Sequence, residues 1–219
     1  MNTEMPPAHS PLDAPDARLQ REDLDWSAVA LARRLIGVTL LCQGVGGPIV
    51  ETEAYERDDA ASHSFRGQTP RNRSMFAGAG TVYVYRSYGL HWCFNIVARD
   101  AGAVLIRAIE PRFGLEQMQR RRGRIDHLAD GPGRLAQALA IDLSHDGGDA
   151  TAAPFALLTR PQEPGLLEGP RIGISRERDR PWRFGLAGSR WLSRPMVTAR
   201  VTAEAGLSPA QAGSARHAE

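Results

Sequence analysis

Apolar residues first fall into a helical rhythm at 28–36, where Ser27 or Asp25 can cap the start and Gly37 can end the run. The period then drops to two. Residues 38–42 read as a strand, 44–47 as a glycine turn and 48–55 as the returning strand of a hairpin. A polar, glycine-containing stretch at 56–80 is longer than an ordinary connection, and such loops are usually functional. Three β-rich runs follow, at 81–86, 90–98 and 103–109, the first two joined through Tyr88-Gly89. Pro111 ends the third. Residues 114–122 look helical with a basic end, and 130–133 form a turn before a helix at 134–141. Residues 155–159, 171–175 and 183–188 read as late strands. Strands outnumber helices and most links are short, so the expected class is α+β with an antiparallel-dominated sheet. Residues 1–22 are expected to be a disordered acidic tail, 23–203 a single folded domain, and 204–219 a flexible C-terminal tail.

Composition narrows this. A chain of 219 residues can bury one sizeable core, and one domain is expected rather than two. The 27 basic side chains are all arginine. Without lysine there is no Schiff-base lysine and no P-loop lysine. Coding composition is an alternative explanation for that bias, and the exclusions hold under either. No run approaches the roughly 20 apolar residues of a membrane span. The proline-rich, acidic N-terminus lacks the features of a signal peptide. Cys42 and Cys93 are too few for a disulfide framework, and the His/Cys inventory has no clustered zinc pattern. A cytoplasmic protein without cofactor or metal is expected. The net charge of +2 conceals segregation. Residues 1–26 carry six acids against two arginines, 107–134 seven arginines against four acids, and 171–200 eight arginines against two. Clustered positive charge fits a polyanion-binding face or a solvated surface.

The four tyrosines, Tyr55, Tyr83, Tyr85 and Tyr88, fall within 34 residues. On a strand, Glu51, Glu53 and Tyr55 share one face, and Thr52 and Ala54 the other. Two acids and a tyrosine on one side, with His63 in the loop after them, fit a pocket wall; a solvent-facing strand edge is the alternative. Tyr83 and Tyr85 also share a face. Tyr88 stands at a turn, where a ring can project and wedge between stacked bases or pack on its own loop.

Together these residues resemble the alkyladenine (3-methyladenine) DNA glycosylases of the mammalian type. The resemblance rests on 51–55, Ala61-Ser62-His63, 69–72, Met75-Phe76, 83–89 and Asn95. It continues through 107–111, Gly131-Pro132-Gly133-Arg134-Leu135, Arg171-Ile172-Gly173 and 181–184. It spans roughly residues 27–195 in family order. It implies a single-domain fold with a curved sheet flanked by helices and a protruding hairpin. The implied activity is to flip an alkylated purine from duplex DNA and hydrolyse its N-glycosidic bond. Residue by residue, it implies Glu53 as general base and Arg107 beside the catalytic water. Tyr55 and His63 would stack on one side of the flipped base and Tyr85 on the other. Asn95 would sit at the pocket floor and Tyr88 would intercalate. Further DNA contacts are implied for Arg71, Asn72, Met75, Leu90, His91 and Arg134. The Tyr55-to-His63 interval is one residue shorter than the mammalian pattern, and Leu90 and His91 replace other residues beside the wedge.

The expected partner is double-stranded DNA carrying alkylated purines, and the expected state a monomer. Glu51 is a rival to Glu53 because it shares the face. Glycosylases that also cut the backbone attack with an amine, usually a lysine. A lysine-free chain is therefore expected to be monofunctional. The rival functions are a non-catalytic damaged-DNA binder, which would not need Glu53, and a hydrolase of free nucleosides, which would not need Tyr88.

Overall fold

The computed structural model describes residues 17–196. Eight strands form one sheet in which every pairing is antiparallel. They are β1 (Thr39–Cys42), β2 (Val45–Tyr55), β3 (Val82–Ser87), β4 (His91–Val97), β5 (Ala103–Ile109), β6 (Phe155–Leu158), β7 (Leu166–Gly169) and β8 (Arg183–Leu186). The main path runs β3-β4-β5-β2-β1-β6, and β8, itself paired with β7, joins β2. Three α-helices complete the α+β fold: α1 (Ala28–Arg34), α2 (Leu115–Arg122) and α3 (Pro132–Leu139). Among the described residues no helix is long and apolar enough to cross a membrane.

The long strand β2 organises the molecule. Its first half pairs with β1; its second half lies between β5 and β8. Register slips at Ile49/Glu51 and Glu51/Thr52 mark a bulge, a device that bends a strand and increases its twist. Beyond it, Thr52 and Ala54 face α1: the Thr52 hydroxyl donates to the Ala32 carbonyl at 2.9 Å, and Ala54 is fully buried. The same core face carries Val82, Val84, Phe94, Ile96, Val104, Ile106 and Phe184, packed with Leu31, Leu135 and Leu139 of the helices.

Several local expectations need correction. The β1–β2 turn is Gln43-Gly44, with φ of 52° and 77°, and not 44–47. Two consecutive positive φ values are what a type I′ hairpin turn demands. Gly46 and Gly47 lie inside β2, where a Cβ would come within 1.9 Å of the Leu40 and Glu110 carbonyl oxygens. Close backbone approach, not turning, explains them. Helix α3 starts at Pro132, whose missing N–H suits the first turn, and not at 134. Residues 171–175 form no strand, and β7 at Leu166–Gly169 was not anticipated.

Most of the expected N-terminal tail, 1–22, and all of 204–219 lie outside the described residues. Residues 17–22 are described and dock on the body. Arg18 bridges to Leu158 at the outer edge of β6, the Leu19 amide donates to the Leu157 carbonyl at 2.9 Å, and Arg21 pairs with Asp149 at 2.9 Å. Leu24, fully buried, anchors the following turn.

Candidate active site

Alternation places the remaining residues of these strands on the opposite face. Tyr83 pairs with Asn95, Asn95 with Leu105 and Leu105 with Glu53, so four strands aim these side chains the same way. They line a cleft of about 700 Å³ that also includes Tyr55, His63, Tyr85, Arg107 and the backbone segment from Ile172 to Arg176.

Glu53 is fully buried at the base of this cleft. Its Oε2 accepts from the Tyr55 hydroxyl at 2.8 Å and from Arg107 Nη1 at 3.1 Å. Its Oε1 accepts from the Ile172 amide at 2.7 Å. A carboxylate oxygen has two acceptor positions, so Oε2 is filled and Oε1 retains one open position. Glu51, the rival, is held differently. It accepts from Arg107 Nε at 2.9 Å, Arg183 Nε at 2.8 Å, and both the amide and the hydroxyl of Ser193. It is fully buried and does not line the cleft. Arg107 therefore bridges the two acids. Burial alone would lower its pKa, but the Glu53 and Glu51 carboxylates outweigh that and raise it.

The aromatic wall is continuous. Tyr83 and Tyr85 stack with centroids 5.6 Å apart. His63 meets Tyr85 edge-on at 4.5 Å, and its Nδ1 shares a 2.8 Å hydrogen bond with the Tyr83 hydroxyl. His63 and Tyr85 thus touch, and no base fits between them. The expectation that they flank a base from opposite sides is corrected: they form one wall, with Tyr55 across the cleft. The His63 ring opens on the cleft, and packing against its walls lowers its pKa. Burial first, then neighbouring charges and hydrogen bonds, raises the pKa of Tyr55, Tyr83 and Tyr85. All three rings are neutral at pH 7. Asn95 lies at the floor with its amide nitrogen donating to the Tyr83 carbonyl at 3.0 Å.

The hairpin tip differs in kind. Tyr88 is 83% exposed and Leu90 77%. Tyr88 has φ of 49° beside Gly89 at 68°, an uncommon conformation for a tyrosine, and its exposed ring lines the cleft with the hydroxyl 3.5 Å from the Gly173 carbonyl. His91 packs on Gly133 at the start of α3, where a Cβ would meet the imidazole at 2.6 Å. The hairpin is braced by that helix. Arg134, half exposed, pairs with Asp130 at 3.0 Å. Arg122 nearby has its pKa lowered, by burial first and then by the charges of Arg134 and Arg124.

Three expected DNA contacts lie elsewhere or stand apart. Asn72 is buried and its amide is fully used: Oδ1 accepts from the Thr69 amide and hydroxyl, and Nδ2 donates to the His63 and Gly67 carbonyls. It organises the His63 loop and has no group left for DNA. Met75 is buried behind Tyr83 and Tyr85 and lines the cleft wall. Arg71 is exposed on the loop surface, outside the cleft.

Sequence reasoning missed the groups that hold this strand and its acids: Arg183 and Ser193 on Glu51, the Ile172 amide on Glu53, and the Arg171–Asp59 pair on the Ala54 carbonyl. Among the described residues no three His, Cys, Asp or Glu side chains converge so as to hold a metal ion.

The family model for methylpurine-DNA glycosylase (MPG) matches residues 22–190. The chain is 52% identical over 185 residues to a protein of Rhodopseudomonas palustris strain BisB18, covering 82% of this chain and 92% of that one. It is 56% identical over 179 residues to a protein of Nitrosospira multiformis, covering 79% and 92%. It is 50% identical over 184 residues to a protein of Agrobacterium fabrum, covering 83% and 93%. All three carry the name "Putative 3-methyladenine DNA glycosylase". The chain belongs to the methylpurine-DNA glycosylase family.

Proposed function

We propose that this DNA glycosylase flips 3-methyladenine and related alkylated purines out of duplex DNA and releases them by hydrolysis, with Glu53 activating the water. The observation that carries this reading is the setting of Glu53. It is the acid of the pair that lines the cleft, with Oε2 held by the Tyr55 hydroxyl and Arg107 and with one acceptor position of Oε1 left open beside the Ile172 amide.

The chemistry follows from that setting. Flipping costs a few kcal/mol of stacking and pairing. Tyr88, exposed at the tip, is placed to occupy the vacated space in the duplex. The cleft receives the base between Tyr55 and the His63–Tyr85 wall. An N-alkylated purine carries positive charge, and each neutral tyrosine ring offers it about 0.5–2 kcal/mol of cation–π attraction. The cationic base is already a good leaving group. As the glycosidic bond breaks, positive charge develops on the sugar. Glu53 stabilises that charge and takes a proton from water at its open Oε1 position, while the water oxygen bonds to the anomeric carbon. Glu51, bound by Arg107, Arg183 and Ser193 outside the cleft lining, holds Arg107 in place.

The test is release of free 3-methyladenine from methylated duplex DNA, followed by borohydride treatment. The expected result is base release, an abasic site in an unbroken strand and no protein–DNA adduct. No release by the folded protein would leave a damaged-DNA binder. A trapped adduct would overturn the monofunctional mechanism.

A further inference from the structure

Arg171 lies outside every strand, yet its side chain and that of its partner Asp59 are fully buried. Its Nη1 donates to the Ala54 carbonyl at 2.9 Å and to Asp59 Oδ2; its Nη2 donates to Asp59 Oδ1 at 3.1 Å and to the Glu177 carbonyl at 3.3 Å. The guanidinium carbon also lies 4.6 Å from the centre of the Tyr55 ring and 5.3 Å from that of Trp182. One planar fork thus ties three pieces of chain together. Ala54 is the residue between Glu53 and Tyr55. Asp59 begins the loop that carries His63, and it also fixes the Ala61 amide at 2.9 Å. Glu177 closes the segment that begins at Arg171 itself. The next residue, Ile172, delivers its amide to Glu53 Oε1.

A buried arginine–aspartate pair is a poor way to gain stability, because desolvation offsets much of the attraction. The fork geometry supplies directional contacts to several acceptors at once. Here they fall on elements that meet at the cleft. No strand pairing holds residues 170–176. We propose that Arg171, locked by Asp59, is a positioning residue for base release: it seats the Ile172 amide on Glu53 and supports the Tyr55 ring from outside the cleft. The inference rests on the glycosylase reading above and adds to it a residue that touches neither base nor water.

Losing the clasp frees the 171–177 segment and one support of Tyr55. A displacement of about 1 Å in a reacting group costs on the order of 100-fold in rate. The loss should fall on the chemical step and not on DNA binding, because Arg171 touches neither base nor backbone of the DNA in this reading.

The experiment measures single-turnover release of 3-methyladenine from methylated duplex DNA and, alongside it, affinity for the same DNA. It compares wild type, Arg171→Met, Arg171→Lys and Asp59→Asn, each with its folded fraction from circular dichroism. The expected loss in rate is on the order of 100-fold for Arg171→Met and smaller for Arg171→Lys and Asp59→Asn, with DNA affinity close to wild type in all three. Asp59→Asn keeps shape and one acceptor, and it decides the matter if Arg171→Met does not fold. Wild-type rates, or rate losses no larger than the loss of folded fraction or of DNA affinity, would overturn the proposal. No release by wild type would instead remove the glycosylase reading on which it stands.

Discussion

The two faces of the sheet take alternate residues from the same strands and put them to opposite uses. The core face presents Val82, Val84, Phe94, Ile96, Val104 and Ile106, nearly all without exposure, to the helices. The cleft face presents Tyr83, Tyr85, Asn95, Arg107, Glu53 and Tyr55. It buries two carboxylates, Glu51 and Glu53, and two guanidiniums, Arg107 and Arg183, within one linked set of hydrogen bonds. Side chains on the core face can exchange for others of similar volume at modest cost. Those on the cleft face cannot, because each removed partner strands another buried charge. Stability is concentrated on one face and chemistry on the other, with the Glu51 network as the seam between them.

Substitutions at that seam and in the core should separate stability from activity. Glu51→Gln leaves Arg107 and Arg183 facing an uncharged amide. It should cost about 3–5 kcal/mol of stability, the range for breaking a buried ion pair, and should slow base release by misplacing Arg107. Urea denaturation and single-turnover rates measure the two effects. Phe94→Ala, on the core face against Phe155 at 5.2 Å, should cost a similar 3–5 kcal/mol. Its remaining folded fraction should release base at close to the wild-type rate. A large rate loss per folded molecule would show that the two faces are not separable.

Tyr88→Ala probes the tip, which belongs to neither face. The ring is exposed, so the melting temperature should hardly move. The lost stacking, about 1–3 kcal/mol, should appear as roughly 5- to 150-fold weaker excision from duplex DNA. Excision from single-stranded DNA should change far less. Equal losses on both substrates would remove Tyr88 as the wedge.

The smallest effect is titration. Tyr55, Tyr83 and Tyr85 have pKa values raised in the folded state, so the folded protein holds protons that the unfolded chain releases above about pH 10. Stability from this source is complete below pH 10 and falls as pH rises further. Tyr85→Phe should make that alkaline fall shallower, as followed by thermal melts. A Val84→Ile change on the core face of the same strand should leave its slope unaltered.

Much of this division was legible beforehand, because strand alternation is local. The pattern Glu51-Thr52-Glu53-Ala54-Tyr55 places its residues on the faces where they are found, and Tyr83 and Tyr85 share a wall as spacing requires. The unread parts depend on contacts that no local period encodes. Asp59 and Arg171 are 112 residues apart, and Glu51 and Ser193 are 142 apart. Asn72 looked available for DNA until the fold spent all of its amide. The resemblance put His63 on the Tyr55 side, whereas the path of its loop brings the ring against Tyr85 and Tyr83. The stretch Arg171-Ile172-Gly173 was visible as part of the family resemblance, but a buried arginine in a non-strand segment leaves no signal of what it clasps.

The central claim is that of two neighbouring acids on one strand face, Glu53 performs the chemistry. Its most direct test is single-turnover release of 3-methyladenine from methylated duplex DNA by wild type and by Glu53→Gln, with DNA affinity and melting temperature measured alongside. The account predicts a rate loss of at least about 1,000-fold, by analogy with removal of a catalytic group, in a protein that stays folded and still binds lesion DNA. Release by folded Glu53→Gln at the wild-type rate would contradict it.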